Sequence, residues 1–378
     1  MLKCPVCKTE CGDKPHCPEC GFDQLNTAFI NKDDAGMWIQ NVVIPYREAY
    51  WRRMKSQFTI TDDVLEKYLG QETTVVVPYG VTVIGEDAFS GNQLLERIAL
   101  PSTVREIHKY AFSCCENLVE ANLNEGLEVI QNSAFECCDR LSMTLPDSIN
   151  HLEEGFCLGG AHISVKETNT RFQVIEECLI DQKTHTLLHG WSGNHFISVP
   201  HGVKRIGKWA FPFIEDEQRI VCLPDGIESI GFVGSGIQTL YIPSSVAKID
   251  DGALCGISRL HISSDNGHFY CESGCVIEKN TNSVIAVENR EQCDVSIPNT
   301  VSAIGRYAFD HCGNMKKLVI PASVTHIGYG AFSRCKNLEG LYFEYEAAGT
   351  SWDAWWHFGL KAKCYWKGSW HYEPMSNE

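Results

Sequence analysis

The residue types most able to do chemistry are gathered at one end of the chain. Cys4-Pro-Val-Cys7 and Cys17-Pro-Glu-Cys20 form a C-x2-C-x9-C-x2-C pattern, and five of the 19 cysteines fall in the first 20 residues. Zn²⁺ takes four soft or borderline ligands at tetrahedral corners, and each C-x2-C knuckle supplies two of them. Gly21 follows the second knuckle, where a positive φ closes a tight turn. Cys11 and His16 lie nearby as alternative ligands, but the matching Cys-Pro-x-Cys form of both knuckles favours Cys4, Cys7, Cys17 and Cys20. Four protein ligands close the coordination sphere, so the expected Zn²⁺ is structural and not catalytic. A segment this small cannot build its own apolar core, and metal binding would supply its folding energy.

Little else in the chain has the spacing of a reactive site. It contains no G-x-x-x-x-G-K-[ST], no H-E-x-x-H and no G-x-S-x-G. The 14 histidines are scattered, and His185, His189 and His195 have no metal-ligand spacing. Cys271-x3-Cys275 is not the C-x-x-C of a dithiol redox motif. The other cysteines occur singly or as the pairs Cys114-Cys115 and Cys137-Cys138 inside apolar patterns, which reads as reduced, buried thiols. An enzyme is therefore not the expected class. No run approaches the ~20 apolar residues of a membrane helix. Met1-Leu2-Lys3-Cys4 leads into no apolar signal region, so the expected compartment is the cytoplasm, with the cell surface as the alternative.

Charge narrows the partner. The net charge is −16, yet residues 1–56 carry eight Lys/Arg against seven Asp/Glu, a net of +1. The remainder is strongly acidic and would repel phosphate backbones, which argues against nucleic acid as its main partner. Residues 1–22 resemble the zinc-ribbon domains at the head of many bacterial proteins, a fold that implies protein or nucleic-acid contact without choosing between them. Residues 23–57 read as a helical connector. Asn31 is the N-cap, Asp33 and Asp34 sit in the first turn, and Pro45 divides helix 33–44 from helix 46–56. Its Trp38 and Trp51 face is expected to dock on a neighbouring domain.

The elements that must position any site follow from internal repetition. Val77-Pro78, Leu100-Pro101, Leu145-Pro146, Val199-Pro200, Leu223-Pro224, Ile242-Pro243, Ile297-Pro298 and Ile320-Pro321 recur, with Leu123-Asn124 filling one slot. Steps are 23, 23 and 22 residues from Pro78 to Pro146, then 24 and 23 later, with one short step of 19. Two long gaps of 54 and 55 residues match each other. Asn169-x-x-Phe172 with Cys178-Leu-Ile180 answers Asn266-x-x-Phe269 with Cys275-Val-Ile277, so a block of about 97 residues is duplicated. Ala-Phe recurs as Ala88-Phe89, Ala111-Phe112, Ala134-Phe135, Ala210-Phe211, Ala308-Phe309 and Ala331-Phe332, and Cys115, Cys138, Cys312 and Cys335 each follow the Phe by three. Ile-Gly recurs as Ile84-Gly85, Ile206-Gly207, Ile230-Gly231, Ile304-Gly305 and Ile327-Gly328, where glycine suggests a tight bend. One repeat cannot bury its own apolar face; stacked copies can, with their short strands joined into a parallel sheet that proline terminates.

Leu95-Glu-Arg-Ile98-Ala-Leu100-Pro101-Ser-Thr-Val104-Arg-Glu-Ile107-His-Lys-Tyr-Ala111-Phe112-Ser-Cys-Cys115 resembles the BspA-like (Treponema-type) leucine-rich repeat at every anchor. Gly155-Phe156 and Ala253-Leu254 depart from the Ala-Phe form. The resemblance implies a leucine-rich-repeat solenoid over residues 58–343, with short parallel strands on a concave face and turns and short helical segments on the convex face. Residues 344–378, with Trp352, Trp355, Trp356, Trp366 and Trp370, resemble the C-terminal cap. The family is mostly bacterial, and its members of known role bind host or matrix proteins at the cell surface. It carries no catalytic residues.

Outward strand positions form the candidate surface. They run through Thr74, Val76, Arg97, Ala99, Glu120, Asn122, Ser142 and Thr144, then Phe196, Ser198, Ile220, Cys222, Thr239 and Tyr241, then Asp294, Ser296, Lys317, Val319 and Tyr342. About a dozen rungs would give a face roughly 55 Å long. Phe196, Ile220, Tyr241, Val319 and Tyr342 are the expected contacts for a protein or peptide, since clustered exposed aromatics mark interfaces. The expected function is a non-catalytic scaffold or protein-interaction protein, and the expected oligomeric state is a monomer. A surface adhesin and a nucleic-acid-associated regulator acting through the zinc ribbon are the alternatives.

Overall fold

Alternation within each short repeat separates inward from outward residues, and stacking then joins equivalent segments. The computed structural model describes residues 56–191, 195–211, 219–233, 237–291, 295–346 and 352–367, together with Cys4, Cys17, Val43, Pro45 and Arg52. The expected zinc ribbon (1–22) and helical connector (23–57) therefore lie almost wholly outside the described residues. The chain forms two compact units, Met1–Arg171 and Phe172–Glu378.

In the first unit, Thr74–Val76, Arg97–Ala99, Glu120–Asn122, Ser142–Leu145 and His162–Val165 pair in chain order as a parallel five-stranded sheet. Two-residue strands Val83–Ile84, Glu106–Ile107, Val129–Ile130 and His151–Leu152 form a second ladder, opened by the antiparallel hairpin Phe58–Thr61/Val64–Tyr68. The Ala-Phe turns make a third set of rung-to-rung bonds, with Phe89 N donating to Ala111 O and Phe112 N to Ala134 O, both at 2.8 Å. Three hydrogen-bonded sides enclose the core. The Tyr68, Phe89, Phe112 and Phe135 rings stack through it at 5.1, 5.0 and 5.1 Å.

The second unit repeats this plan with the duplicated block visible in the backbone. Phe172–Ile175, Cys178–Asp181 and Thr186–Gly190 form an antiparallel meander that leads into Arg205–Ile206, Ser229–Ile230 and Lys248–Ile249. Phe269–Glu272, Cys275–Glu278 and Ser283–Val287 do the same ahead of Ala303–Ile304 and His326–Ile327. The two Asn residues open these meanders in the same way. Asn169 Nδ2 donates to Pro146 O and Asn266 Nδ2 to Pro243 O, while their Oδ1 atoms accept from Arg171 N and His268 N. The strand faces are a four-stranded sheet, Phe196–Ser198, Arg219–Cys222, Ile237–Ile242 and Arg259–Ile262, and a three-stranded one, Lys317–Ile320, Gly340–Phe343 and Lys363–Trp366. Phe343 is surrounded by Trp352, Trp356 and Trp366 at 5.4, 5.9 and 4.4 Å.

Three expectations change. The short helical segments expected on the convex side are replaced by turns and two-residue strands, and almost none of the described residues is helical. A rung of about 23 residues that already supplies three hydrogen-bonded sides leaves no length for a helix, since one turn alone takes 3.6 residues. The Ile-Gly glycines are not bends. At Gly328 a Cβ would lie 2.8 Å from Arg306 N, and at Gly231 3.0 Å from Lys208 N, so these glycines permit close approach between rungs. Positive φ falls instead on the residue before Ala-Phe (Asp87, Tyr110, Ser133, Trp209, Tyr307) and two after the Phe (Cys114, Cys137, His311, Arg334). Finally, Pro101 and its equivalents do more than end strands: Val104 N donates to Pro101 O and Val324 N to Pro321 O, both at 3.1 Å, closing the next turn.

Candidate binding face

Strand alternation delivers the expected outward residues, with one exception. Phe196, Tyr241 and Val319 are 52, 43 and 50% exposed, and Ile220 and Tyr342 are half-buried. Thr239 is buried, although its register partners Ile220 and Arg259 lie on the outward face. Register places Phe196 beside Ile220 and Ile220 beside Thr239; in the next row Ser198, Cys222, Tyr241 and His261 are neighbours. Tyr241 stacks on His261 with ring centroids 4.5 Å apart. In the three-stranded sheet Val319, Tyr342 and Tyr365 form one row, and the two tyrosine rings stack at 4.8 Å. Asp294 lies outside the described residues.

His261, Arg259 and Tyr365 complete this face and were not anticipated. Their strands lack the Ile-Pro ending on which the repeat was aligned: Ile262 is followed by Ser263 and Trp366 by Lys367. The apolar alternation in Leu260-His-Ile262 and Cys364-Tyr-Trp366 is the signal that would have found them.

The first unit presents a different strand face. Its rows read Thr74–Arg97–Glu120–Ser142–His162 and Val76–Ala99–Asn122–Thr144–Ser164, mostly polar apart from Val76 and Ala99. Arg97 Nε lies 3.4 Å from Glu120, and the Thr144 and Ser164 hydroxyls share a hydrogen bond of 2.7 Å. A cavity of about 670 Å³ lies here, lined by Glu120, Asn122, Ser142, Thr144 and Pro146 and bordered by the Glu125–Lys166 ion pair.

Among the described residues, the histidines singled out by the sequence do not converge. His189 is buried while His185 and His195 are exposed, and among the described residues no group of three or more His, Cys, Asp or Glu could hold a metal ion. Cys178 and Cys275 are buried equivalents whose thiols both donate, at 3.6 Å, to Ser198 O and Ser296 O. Cys115, Cys138 and Cys335 donate to the carbonyls of Phe89, Phe112 and Phe309 at 3.2, 3.1 and 3.0 Å. Burial pushes the Cys115 thiol up to about 12, so it stays protonated. Of the four expected zinc ligands, Cys4 and Cys17 are described and buried, and Cys7 and Cys20 lie outside the described residues.

One buried polar cluster went unanticipated. Asp310 is fully buried and accepts from His311 Nδ1 at 2.6 Å, Arg334 Nε at 3.0 Å and Cys255 Sγ at 3.0 Å. Arg290 beneath it donates to the carbonyls of Ile257, Leu254, Ala308 and Asp310. A thiol, a carboxylate and an imidazole together invite a nucleophilic reading. Burial and then the Asp310 carboxylate push Cys255 up to about 12, the opposite of activation. The cluster instead ties the return of the second meander to the following rung.

No curated protein matches the chain. Among solved structures, the pneumococcal vaccine antigen PcpA is 17% identical with a TM-score of 0.44, over 72% of this chain and 68% of that one. A leucine-rich cell surface protein from Faecalibacterium prausnitzii is 19% identical with a TM-score of 0.36, over 76% of this chain and 92% of that one. A leucine-rich repeat protein from Bacteroides capillosus is 30% identical with a TM-score of 0.27, over 29% of this chain and 92% of that one. The description "BspA type Leucine rich repeat region" matches in six copies across residues 60–183, 191–292 and 275–353, so with its stacked rungs and Ala-Phe turns the chain belongs to the BspA-type leucine-rich repeat family.

Proposed function

We propose that this protein is a non-catalytic interaction protein that binds a protein or peptide partner on the strand face of its second unit. BspA-type repeat proteins generally serve protein interaction or adhesion. The observation that carries the reading is the exposure of Phe196, Tyr241 and Val319 on outward strand positions. Large apolar side chains left in water cost free energy that a partner recovers, and clustered aromatics are where interface energy concentrates. Ile220 and Tyr342 extend the two patches. Affinity capture from the source cells, with a Phe196→Ala/Tyr241→Ala variant beside the wild type, tests it. Capture that survives both substitutions removes the proposal.

Two accompanying readings have separate tests. Cys4, Cys7, Cys17 and Cys20 hold one structural Zn²⁺; the burial of Cys4 and Cys17 suits that role. Metal analysis of purified protein then gives one zinc per chain, lost in a Cys4→Ser/Cys17→Ser variant. The compartment is reducing, as the column of buried, carbonyl-bonded thiols favours. Among the described residues no helix is long and apolar enough to cross a membrane. Cell fractionation separates the cytoplasmic placement from a surface one, since an adhesin must be found outside.

A further inference from the structure

The pairs Cys114-Cys115 and Cys137-Cys138 divide into two kinds of thiol. Cys115 and Cys138 enter the core column, while Cys114 is half-buried and Cys137 is exposed. Both outer residues sit two positions after the rung phenylalanine, and both have φ of 56°. That left-handed conformation, uncommon for cysteine, turns each side chain away from the core. Other rungs place Gly91, His311 or Arg334 at this position. Cys114 and Cys137 are therefore adjacent on consecutive rungs.

The backbone fixes their separation. Cys114 N donates to Glu136 O at 2.7 Å, which holds the two segments as hydrogen-bonded neighbours. Such neighbours stand about 4.8 Å apart, inside the ~4.4–6.8 Å Cα range of a disulfide. The Cys114 thiol is near enough to Cys137 to help push its titration up.

We propose that Cys114 and Cys137 are a surface dithiol that exchanges with disulfides and closes into a cross-link between consecutive rungs. The Cys137 thiolate attacks one sulfur of a small disulfide such as oxidised glutathione, expelling one glutathione thiolate. The Cys114 thiolate then attacks the Cys137 sulfur and expels the second. The two protein thiols lose two electrons and two protons, and the glutathione disulfide takes them up to become two thiols. Burial, then the neighbouring Cys114 and Glu136, push Cys137 up to about 11, so Cys137 rests as a thiol near neutrality and exchanges faster as pH rises. The core column does not compete, because Cys115 and Cys138 are buried and bonded to carbonyls.

The test treats the folded full-length chain with oxidised glutathione, blocks remaining thiols by alkylation and maps peptides by mass. The expected product is a Cys114–Cys137 cross-link, formed roughly tenfold faster per pH unit between about pH 7 and pH 9. A Cys114→Ser variant, which lacks the resolving thiol, instead keeps a stable glutathione adduct on Cys137. Separate adducts on both wild-type cysteines without a cross-link would overturn the proposal, as would a Cys137 that never reacts.

Discussion

The two units share an interior and differ on the strand face. Inside, each stacks phenylalanines: Phe89 on Phe112 on Phe135 in the first, Phe309 on Phe332 in the second. Outside, the first unit presents Arg97, Glu120, Asn122, Thr144 and Ser164, partly paired with one another. The second presents Phe196, Tyr241 and Val319 to solvent. Strand alternation makes this division possible, because each second side chain belongs to the face and not to the core. The repeat thus fixes the fold through inward positions and leaves outward positions free to specialise.

The comparison is broken most severely if the interiors prove unequal. Phe112→Ala and Phe309→Ala should each cost about 3–5 kcal/mol, since each removes a fully buried ring from a stack. Hydrogen exchange in the affected rungs measures both, and a gap between them wider than about 2 kcal/mol would deny the shared core.

The Asp310 cluster has no described equivalent in the first unit, and it sharpens the contrast. Asp310→Ala should cost about 2–3 kcal/mol, below a wholly buried pair because Arg334 is half exposed. Burial raises the Asp310 carboxyl, but hydrogen bonds from His311 and Cys255 and the charges of His311 and Arg334 outweigh it, leaving it below the ordinary value. A carboxyl lowered in the folded state adds stability above its unfolded value of about 3.9, lost as pH falls through the folded value. Acid titration of the wild type against Asp310→Asn should show this loss only in the wild type.

The strand faces should diverge in binding. Phe196→Ala or Tyr241→Ala should weaken partner binding by about 2 kcal/mol, roughly 30-fold, while Asn122→Ala leaves it unchanged. Equilibrium titration with the captured partner checks both. The smallest effect belongs to the Glu125–Lys166 pair, which is exposed on both sides. Lys166→Ala should change stability by less than about 1 kcal/mol, with the difference shrinking in salt.

Much of this was legible in the sequence because inward positions repeat. The Ala-Phe turns, the Cys column and the duplicated block follow from spacing alone. What spacing missed has a physical reason in each case. Arg259, His261 and Tyr365 stand on strands without the terminal proline. The Ile-Gly step reflects contact between rungs, which no single repeat reveals. Thr239 is buried among neighbouring strands while its register keeps it on the outward face, which alternation alone does not reveal. Asp310 meets Cys255 across 55 residues of chain, a distance bridged only by stacking.

The central claim is that the aromatic strand face of the second unit, and not the polar face of the first, receives the partner. Quantitative capture from the source cells with Phe196→Ala/Tyr241→Ala, set against Asn122→Ala/Thr144→Ala, tests it most directly. The account predicts that the first variant loses the partner while the second retains it. Retention by the first and loss by the second would contradict it.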